Sequence, residues 1–363
     1  MTTAEIPARP LGTAAPVRRE RPTAEALNRD PRRPLTRVRS LDVLRGLAIV
    51  ILFLAINPGP REGLPAQLKH SYWHGLTVAD LFFPVFLFAV GAAMVFSART
   101  MAGRHVARRA ALLTAIGIAL VSVKQGELTF PGVLQHIAIA YVLAWLVMKL
   151  PVGWQLVACA AALVAYAAAF VLFADGVDAW GRRGTLAHSV NGWFFGAFRT
   201  EGIPQSAISF INVMAGVFAG RLVSEGDRSR IARTAAVWAG ALIGLGALMA
   251  ALVPINKYLW SPSYAVVTSG SSLALFALAY WLVDVRGVRR GVQPMVELGS
   301  NPIVLYVVCM LSMVVLPPHR GPLDRLVDGA SPTVVALVWA VAWLAVGWLL
   351  SHVLYRRRIF VKI

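Results

Sequence analysis

LTVADLFFPVFLFAVGAAMVF, residues 76–96, decides the fold. These 21 residues carry a single charge, Asp80, one turn from the start. At about 1.5 Å per residue a helix of this length is roughly 32 Å long, enough to cross the hydrocarbon core of a bilayer. In lipid the backbone N–H and C=O groups have no water to bond, so the segment must satisfy them internally, as a helix.

Nine further apolar segments flank it, at 41–58, 108–124, 132–150, 152–174, 203–223, 232–253, 263–285, 296–316 and 332–355. Of the 363 residues, 58% are hydrophobic and 14% charged, and the mean hydropathy is +0.65. A soluble domain has about a quarter of its residues charged. This chain cannot supply the polar surface of a soluble enzyme, and it is neither a disordered protein nor a disulfide-stapled secreted domain. The expected fold is all-α, a polytopic membrane protein built as a bundle of about ten transmembrane helices. Residues 1–39, rich in Arg and Pro, read as a disordered basic tail, and residues 40–363 as the transmembrane domain.

Ten crossings put both termini on one side. The segments on that side hold 25 of the 35 Lys and Arg residues, and the opposite loops hold 9. The positive-inside rule therefore places both termini in the cytoplasm. The same asymmetry explains the net charge of +18 without nucleic acid, and the basic C-terminal tail suits anionic membrane lipids. Cys159 and Cys309 lie in apolar runs without CxxC spacing, so no metal site is expected.

Polar residues in apolar surroundings mark candidate sites, because an intramembrane charge is costly without a partner or a cavity. Asp42 and Arg45 are three apart at the inner end of the first span, placed either as a structural ion pair or as a contact for a cytoplasmic ligand. Asn57 stands at its outer end, as a helix-end cap or as a hydrogen-bond donor to an oxyanion. His70-Ser71-Tyr72-Trp73-His74, with Thr77 as a cap and Asp80 inside the next span, holds the residue types of a His–Asp general-base pair. Gln135-His136, Arg199-Thr200-Glu201-Gly202, Asn256-Lys257 with Trp260, and Ser300-Asn301-Pro302 are caps, turns or kinks taken singly, and together suggest a polar cavity. No Walker A, GxGxxG, HExxH or GxSxG pattern is present, which disfavours ATP-driven transport, metalloprotease and esterase readings.

The motifs taken in order carry a resemblance. SLDVLRG (40–46), KHSYWHGLTVADLFFPVFLFAVG (69–91), PGVLQHIAIAY (131–141), EGIPQSAISFINVMAGVFAG (201–220), PINKYLWSPSYAVVTSG (254–270), ELGSNPIVLYV (297–307) and YRRRIFVKI (355–363) resemble the membrane acetyltransferases related to heparan-α-glucosaminide N-acetyltransferase. The resemblance implies transfer of an acetyl group from cytosolic acetyl-CoA, as co-substrate, to an amino sugar or glycan on the far side of a membrane. It places the active-site histidine on His70, with Asn57 and Asp80 beside it. Charge adds Arg45 and Arg99 as coenzyme contacts, Asp42 and His136 are set with them, and Trp73, His74, Glu201, Asn256, Lys257, Trp260 and Asn301 are expected as acceptor contacts. Two departures stand out: His136 replaces an Arg after VLQ, and Arg199-Thr200-Glu201-Gly202 replaces a more acidic DPEG. The lysosomal enzyme's lumenal domain is absent. Partners expected are acetyl-CoA, a sugar or glycan acceptor, membrane lipids and, in a homodimer, a second copy, at a bacterial plasma membrane. The rival readings are an O-acetyltransferase of a cell-envelope glycan or lipid-linked sugar and, from another class, a solute transporter or flippase.

Overall fold

The computed structural model describes residues 38–97, 102–174, 178–225, 227–315 and 329–361. Residues 1–37 of the expected tail, and Arg99, lie outside them. The described residues form helices joined by turns, with no strand among them. The helices are α1 (Arg39–Ala55), α2 (Phe82–Val95), α3 (Gly103–Gln125), α4 (Val133–Val147), α5 (Val152–Leu172), α6 (Leu186–Phe195) and α7 (Ile203–Ile208). They continue as α8 (Phe210–Glu225), α9 (Arg228–Met249), α10 (Pro262–Tyr280), α11 (Gln293–Leu298), α12 (Pro302–Val315) and α13 (Pro332–Arg356).

Among the described residues, seven helical stretches are long and apolar enough to cross a membrane: 78–95, 103–125, 152–172, 203–224, 229–249, 262–285 and 332–356. Ten such crossings were expected. The remaining three segments are α1, α4 and α12, of 17, 15 and 14 residues. At about 1.5 Å per residue α1 and α4 are roughly 23 to 26 Å long, short of the ~30 Å hydrocarbon core; α12 runs to Val315, where that stretch of described residues ends. The ninth segment, read as one span over 296–316, is two helices broken at Gly299-Ser300-Asn301. Pro302 has no N–H for a continuous ladder. The Asn301 side chain turns aside to the C-terminal segment, donating to the Ile359 carbonyl at 2.9 Å and accepting from the Val361 N–H at 2.8 Å. Nearby, Glu297 accepts from Trp348 Nε1 and faces His352 Nδ1, each at 3.1 Å, which ties α11 to α13.

The bundle has an inner and an outer set of helices. In the stretch containing α2, 72% of the most apolar window is buried; in α5 the figure is 11%, so α5 faces lipid. Its only buried residues are Gln155 and Phe170. Two polar bonds fasten it: Arg221 Nη1 donates to Gln155 Oε1 at 2.7 Å, and Tyr166 donates its hydroxyl to the Leu259 carbonyl at 2.7 Å.

The inner helices approach through glycine. A Cβ on Gly91 of α2 would collide with the carbonyl of Val213 on α8, and one on Gly216 of α8 with the carbonyl of Phe88 on α2. Apolar side chains are as well solvated by lipid as by protein, so close backbone approach is what holds such helices together. Gly91→Ala is expected to cost about 1–3 kcal/mol, since backbone cannot move aside as a side chain can. Gly240→Ala, where nothing lies within 4 Å, is expected to leave the unfolding midpoint in detergent unchanged or slightly raised. Unfolding midpoints of the two variants in the same detergent make the comparison.

Candidate functional site

The site gathers where the loop 69–77 meets the head of the second span. A 3-10 turn, Val78–Leu81, starts that span, and Asp80 is buried in it. One carboxylate oxygen, Oδ2, accepts from the backbone N–H of Thr77 at 3.1 Å and of Ser71 at 3.2 Å. The Thr77 hydroxyl shares its proton between that oxygen at 3.0 Å and the Lys69 carbonyl at 2.8 Å. These bonds fold the loop back over the helix start and fix the direction of His70. The other oxygen, Oδ1, is 2.9 Å from His70 Nδ1 and 3.5 Å from Lys257 Nζ. Lys257 Nζ is itself 2.8 Å from His70 Nδ1.

Lys257 comes from the turn between α9 and α10, which is stitched internally. Asn256 accepts from the Leu259 N–H on its side-chain oxygen at 2.9 Å, and its own N–H donates to Ser261 Oγ at 2.9 Å. Trp260 in this turn has φ +49°, a left-handed conformation unusual for so bulky a residue. It is held there by its N–H on the Lys257 carbonyl at 3.1 Å and its Nε1 on Asn212 Oδ1 at 3.1 Å. Tyr264, at the start of α10, donates its hydroxyl to the Asp80 carbonyl at 2.7 Å, pinning α10 to the same helix start.

Burial lowers the pKa of His70, and the Lys257 ammonium pushes the same way against the Asp80 carboxylate. Burial pushes Lys257 down to about 8, with Asp80 and then Glu201 opposing. Glu201 is raised by burial, while Lys257 holds it down in part. The His70 side chain is 30% exposed, so the ring is held by its neighbours and still reachable.

The other expected residues fall into groups. His74 Nδ1 is 3.3 Å from Asn256 Nδ2, and the Trp73 ring stacks on Tyr258 at 5.2 Å with its Nε1 on the Trp180 carbonyl. These lie on the same loop and turn as His70 and Lys257. Asn57 caps the end of α1: it donates to the Leu54 carbonyl and accepts from the Gly59 N–H, both at 3.0 Å. Asp42 pairs with Arg45 at 2.6 Å on α1. Asn301 bonds to the C-terminal segment, as described. His136 is fully buried on α4 between the rings of Phe83 and Trp260, each 4.7 Å away. Neither of its ring nitrogens has a hydrogen-bond partner in the structure. An apolar crevice runs between α1, α2, α4 and α12, lined by Ile49, Leu52, Phe82, Phe83, Ile137 and Tyr306 among others. Phe82 separates it from His70, with ring centroids 6.3 Å apart. Among the described residues no group of His, Cys, Asp and Glu is placed to hold a metal ion.

Sequence reasoning placed Lys257 in the acceptor pocket and did not couple it to His70; the two are 187 residues apart and nothing local joins them. It also passed over Tyr258 and Tyr264, whose one signal is their place in the PINKYLWSPSY run.

An all-helical integral membrane protein with a carboxylate-oriented histidine at a helix head is the class that fold and site define. The chain belongs to the family described as heparan-alpha-glucosaminide N-acetyltransferase, catalytic, whose model matches residues 37–253. It is 26% identical over 408 aligned positions to heparan-alpha-glucosaminide N-acetyltransferase of Mus musculus and 25% identical over 407 to that of Homo sapiens. Each alignment covers 90% of this chain and 60% of the relative, so the chain spans about 60% of those proteins' length.

Two substitutions separate structural from chemical roles here. Asp80→Asn leaves buried Lys257 without its nearer counter-charge and is expected to cost about 3 kcal/mol, read as a lower unfolding midpoint. His136→Phe removes two unpartnered buried nitrogens and is expected to raise that midpoint, by about 1–3 kcal/mol of stability.

Proposed function

We propose that the protein transfers an acetyl group from acetyl-CoA on the cytoplasmic side to the amino group of a sugar on the far side of the membrane. The observation that carries this is His70 Nδ1 set 2.9 Å from the buried Asp80 carboxylate, on a ring that is still accessible. With Nδ1–H donated to Asp80, Nε2 presents its lone pair. It serves in one of two ways. As a base it takes a proton from the acceptor amine as that nitrogen attacks the thioester carbonyl, and CoA leaves as thiolate. As a nucleophile Nε2 attacks the thioester itself and forms an acetyl-imidazole; CoA leaves, and the amine then takes the acetyl group and loses a proton. In both routes Asp80 stabilises positive charge on the ring.

Residues 40–363 act as one transmembrane catalytic domain with both termini in the cytoplasm, at a bacterial plasma membrane. In this reading an acyl-bearing arm enters from the inner end, where Asp42 and Arg45 stand, and the Phe82 ring, which closes the apolar crevice off from His70, must turn aside to let it reach the imidazole. Asn57 has a second amide proton beyond the one given to Leu54, and that proton is available to a thioester oxyanion. Trp73, His74, Asn256 and Glu201 surround the acceptor, and buried His136, with its two free nitrogens, meets a polar group of the coenzyme arm.

Purified protein with radiolabelled acetyl-CoA and a panel of amino sugars tests the reading. His70→Ala is expected to lower transfer at least a thousandfold, on the scale of losing a catalytic base or nucleophile, while eluting as folded protein. Full activity in that variant overturns the assignment. Acetylation of a hydroxyl in place of the amine shifts the acceptor class without moving His70.

A further inference from the structure

His70 Nδ1 stands between two groups that make opposite demands on it. Asp80 Oδ1, at 2.9 Å, needs a proton on Nδ1, because a carboxylate only accepts. Lys257 Nζ, at 2.8 Å, needs a lone pair there when it is an ammonium, because an ammonium only donates. A neutral imidazole has one proton to place, so both bonds cannot form while Lys257 is charged.

We propose that Lys257 is the positioning residue that selects the tautomer of His70: as an ammonium it occupies the Nδ1 lone pair and leaves the ring proton on Nε2, and only as the free amine does it let Nδ1–H turn to Asp80 and open the Nε2 lone pair. Between the two arrangements one proton leaves the Lys257–His70–Asp80 cluster, and no heavy atom needs to move. The loss belongs to the coupled cluster rather than to one residue. Reading the open form as the working one rests on the acetyl-transfer proposal; the tautomer switch itself does not.

Surrounding charges are consistent with a switch near neutrality. Lys257 is 9% exposed and faces Asp80 from the head of the second span, with Glu201 acting on it from the residues before α7. Its pKa is pushed down to about 8 by burial. Arg61, after α1, acts on His70, and Lys124 at the end of α3 and Arg199 act on Glu201. Beside Lys257 in the turn, Tyr258 is raised by burial and feels Asp80 and Arg182. On the His70 loop, His74 is lowered by burial and feels Asp178 and Arg182. None of these groups offers His70 Nδ1 a second proton acceptor within hydrogen-bond distance among the described residues.

The sign follows. An ordinary histidine base gains activity as pH rises through about 6.5, and here burial moves that limb lower. With Lys257 in control, the limb lies near 8. Roughly 3% of a group with pKa near 8 is free base at pH 6.5.

Diethyl pyrocarbonate reads the open nitrogen directly, without acceptor or coenzyme. The unprotonated ring nitrogen attacks a reagent carbonyl, forming an N-carbethoxy bond and releasing carbon dioxide and ethanol. Its rate at His70 is followed by mass spectrometry of the full-length protein in detergent from pH 6 to 9, corrected for reagent decay. In the wild type the rate is expected to rise with a midpoint near 8. In Lys257→Met the midpoint falls to the histidine range, so His70 reacts roughly twentyfold faster than wild type at pH 6.5 and equally at pH 9. Lys257→Arg, permanently charged, keeps His70 unreactive throughout. Lys257→Gln replaces the Met variant if the latter does not elute as folded protein. Coincident midpoints in wild type and the neutral variant, or a fully reactive His70 in Lys257→Arg, overturn the proposal. Acetyl transfer that depends on His70, with a limb that Lys257 does not move, sinks this inference and leaves the function standing. The expected carbethoxylation pattern without transfer to any sugar does the reverse.

Discussion

A carboxylate buried at the head of a membrane helix is the constraint on which the His70 end of this protein depends. Asp80 cannot sit unpartnered in an apolar setting, and its carboxylate draws partners from two separate parts of the chain, the loop 69–77 and the turn 256–261. Meeting its demand folds the loop, orients His70 and draws in Lys257, while Tyr264 of α10 bonds the backbone carbonyl of the same residue. The same group therefore organises the structure and the chemistry, and the two cannot be varied independently at that position.

The rest of the bundle serves to present that point rigidly. The inner helices meet at glycines, where backbone touches backbone and no side-chain rearrangement can loosen the fit. Two of the central segments, α1 and α4, are shorter than the apolar core of a bilayer, and the crevice beside Phe82 lies between them, α2 and α12. Asp42 and Arg45 pair near the start of α1, and Asn57 caps its end.

Much of this was legible in the chain itself. The apolar runs located every long helix to within a few residues, because burial in lipid is a signal that accumulates over about twenty positions. Thr77, Asp80 and His70 were legible because a cap, a misplaced charge and an imidazole fall within eleven residues of one another. What escaped notice depends on distance along the chain or on weak local signals. The pairing of Lys257 with His70 joins segments that only the folded bundle brings together. Helix α6 has just ten residues, of which Ala187 and Asn191 are buried, too few to set up a clear periodicity. The ninth segment read as one span because apolar residues flank Ser300-Asn301-Pro302 on both sides, so that polar stretch read as a kink within the span and not as the boundary between two helices.

Helix α5 illustrates how unevenly selection would act on such a molecule. It meets lipid along most of its length and is fastened to the bundle at Gln155 and Tyr166. Lipid does not distinguish Ala, Val and Leu at an outward-facing position beyond their hydrophobicity. Over generations the helix can exchange nearly all its residues among apolar types while these two polar anchors stay. Divergence concentrated in α5 would then record a long ancestry and say nothing about a change of substrate.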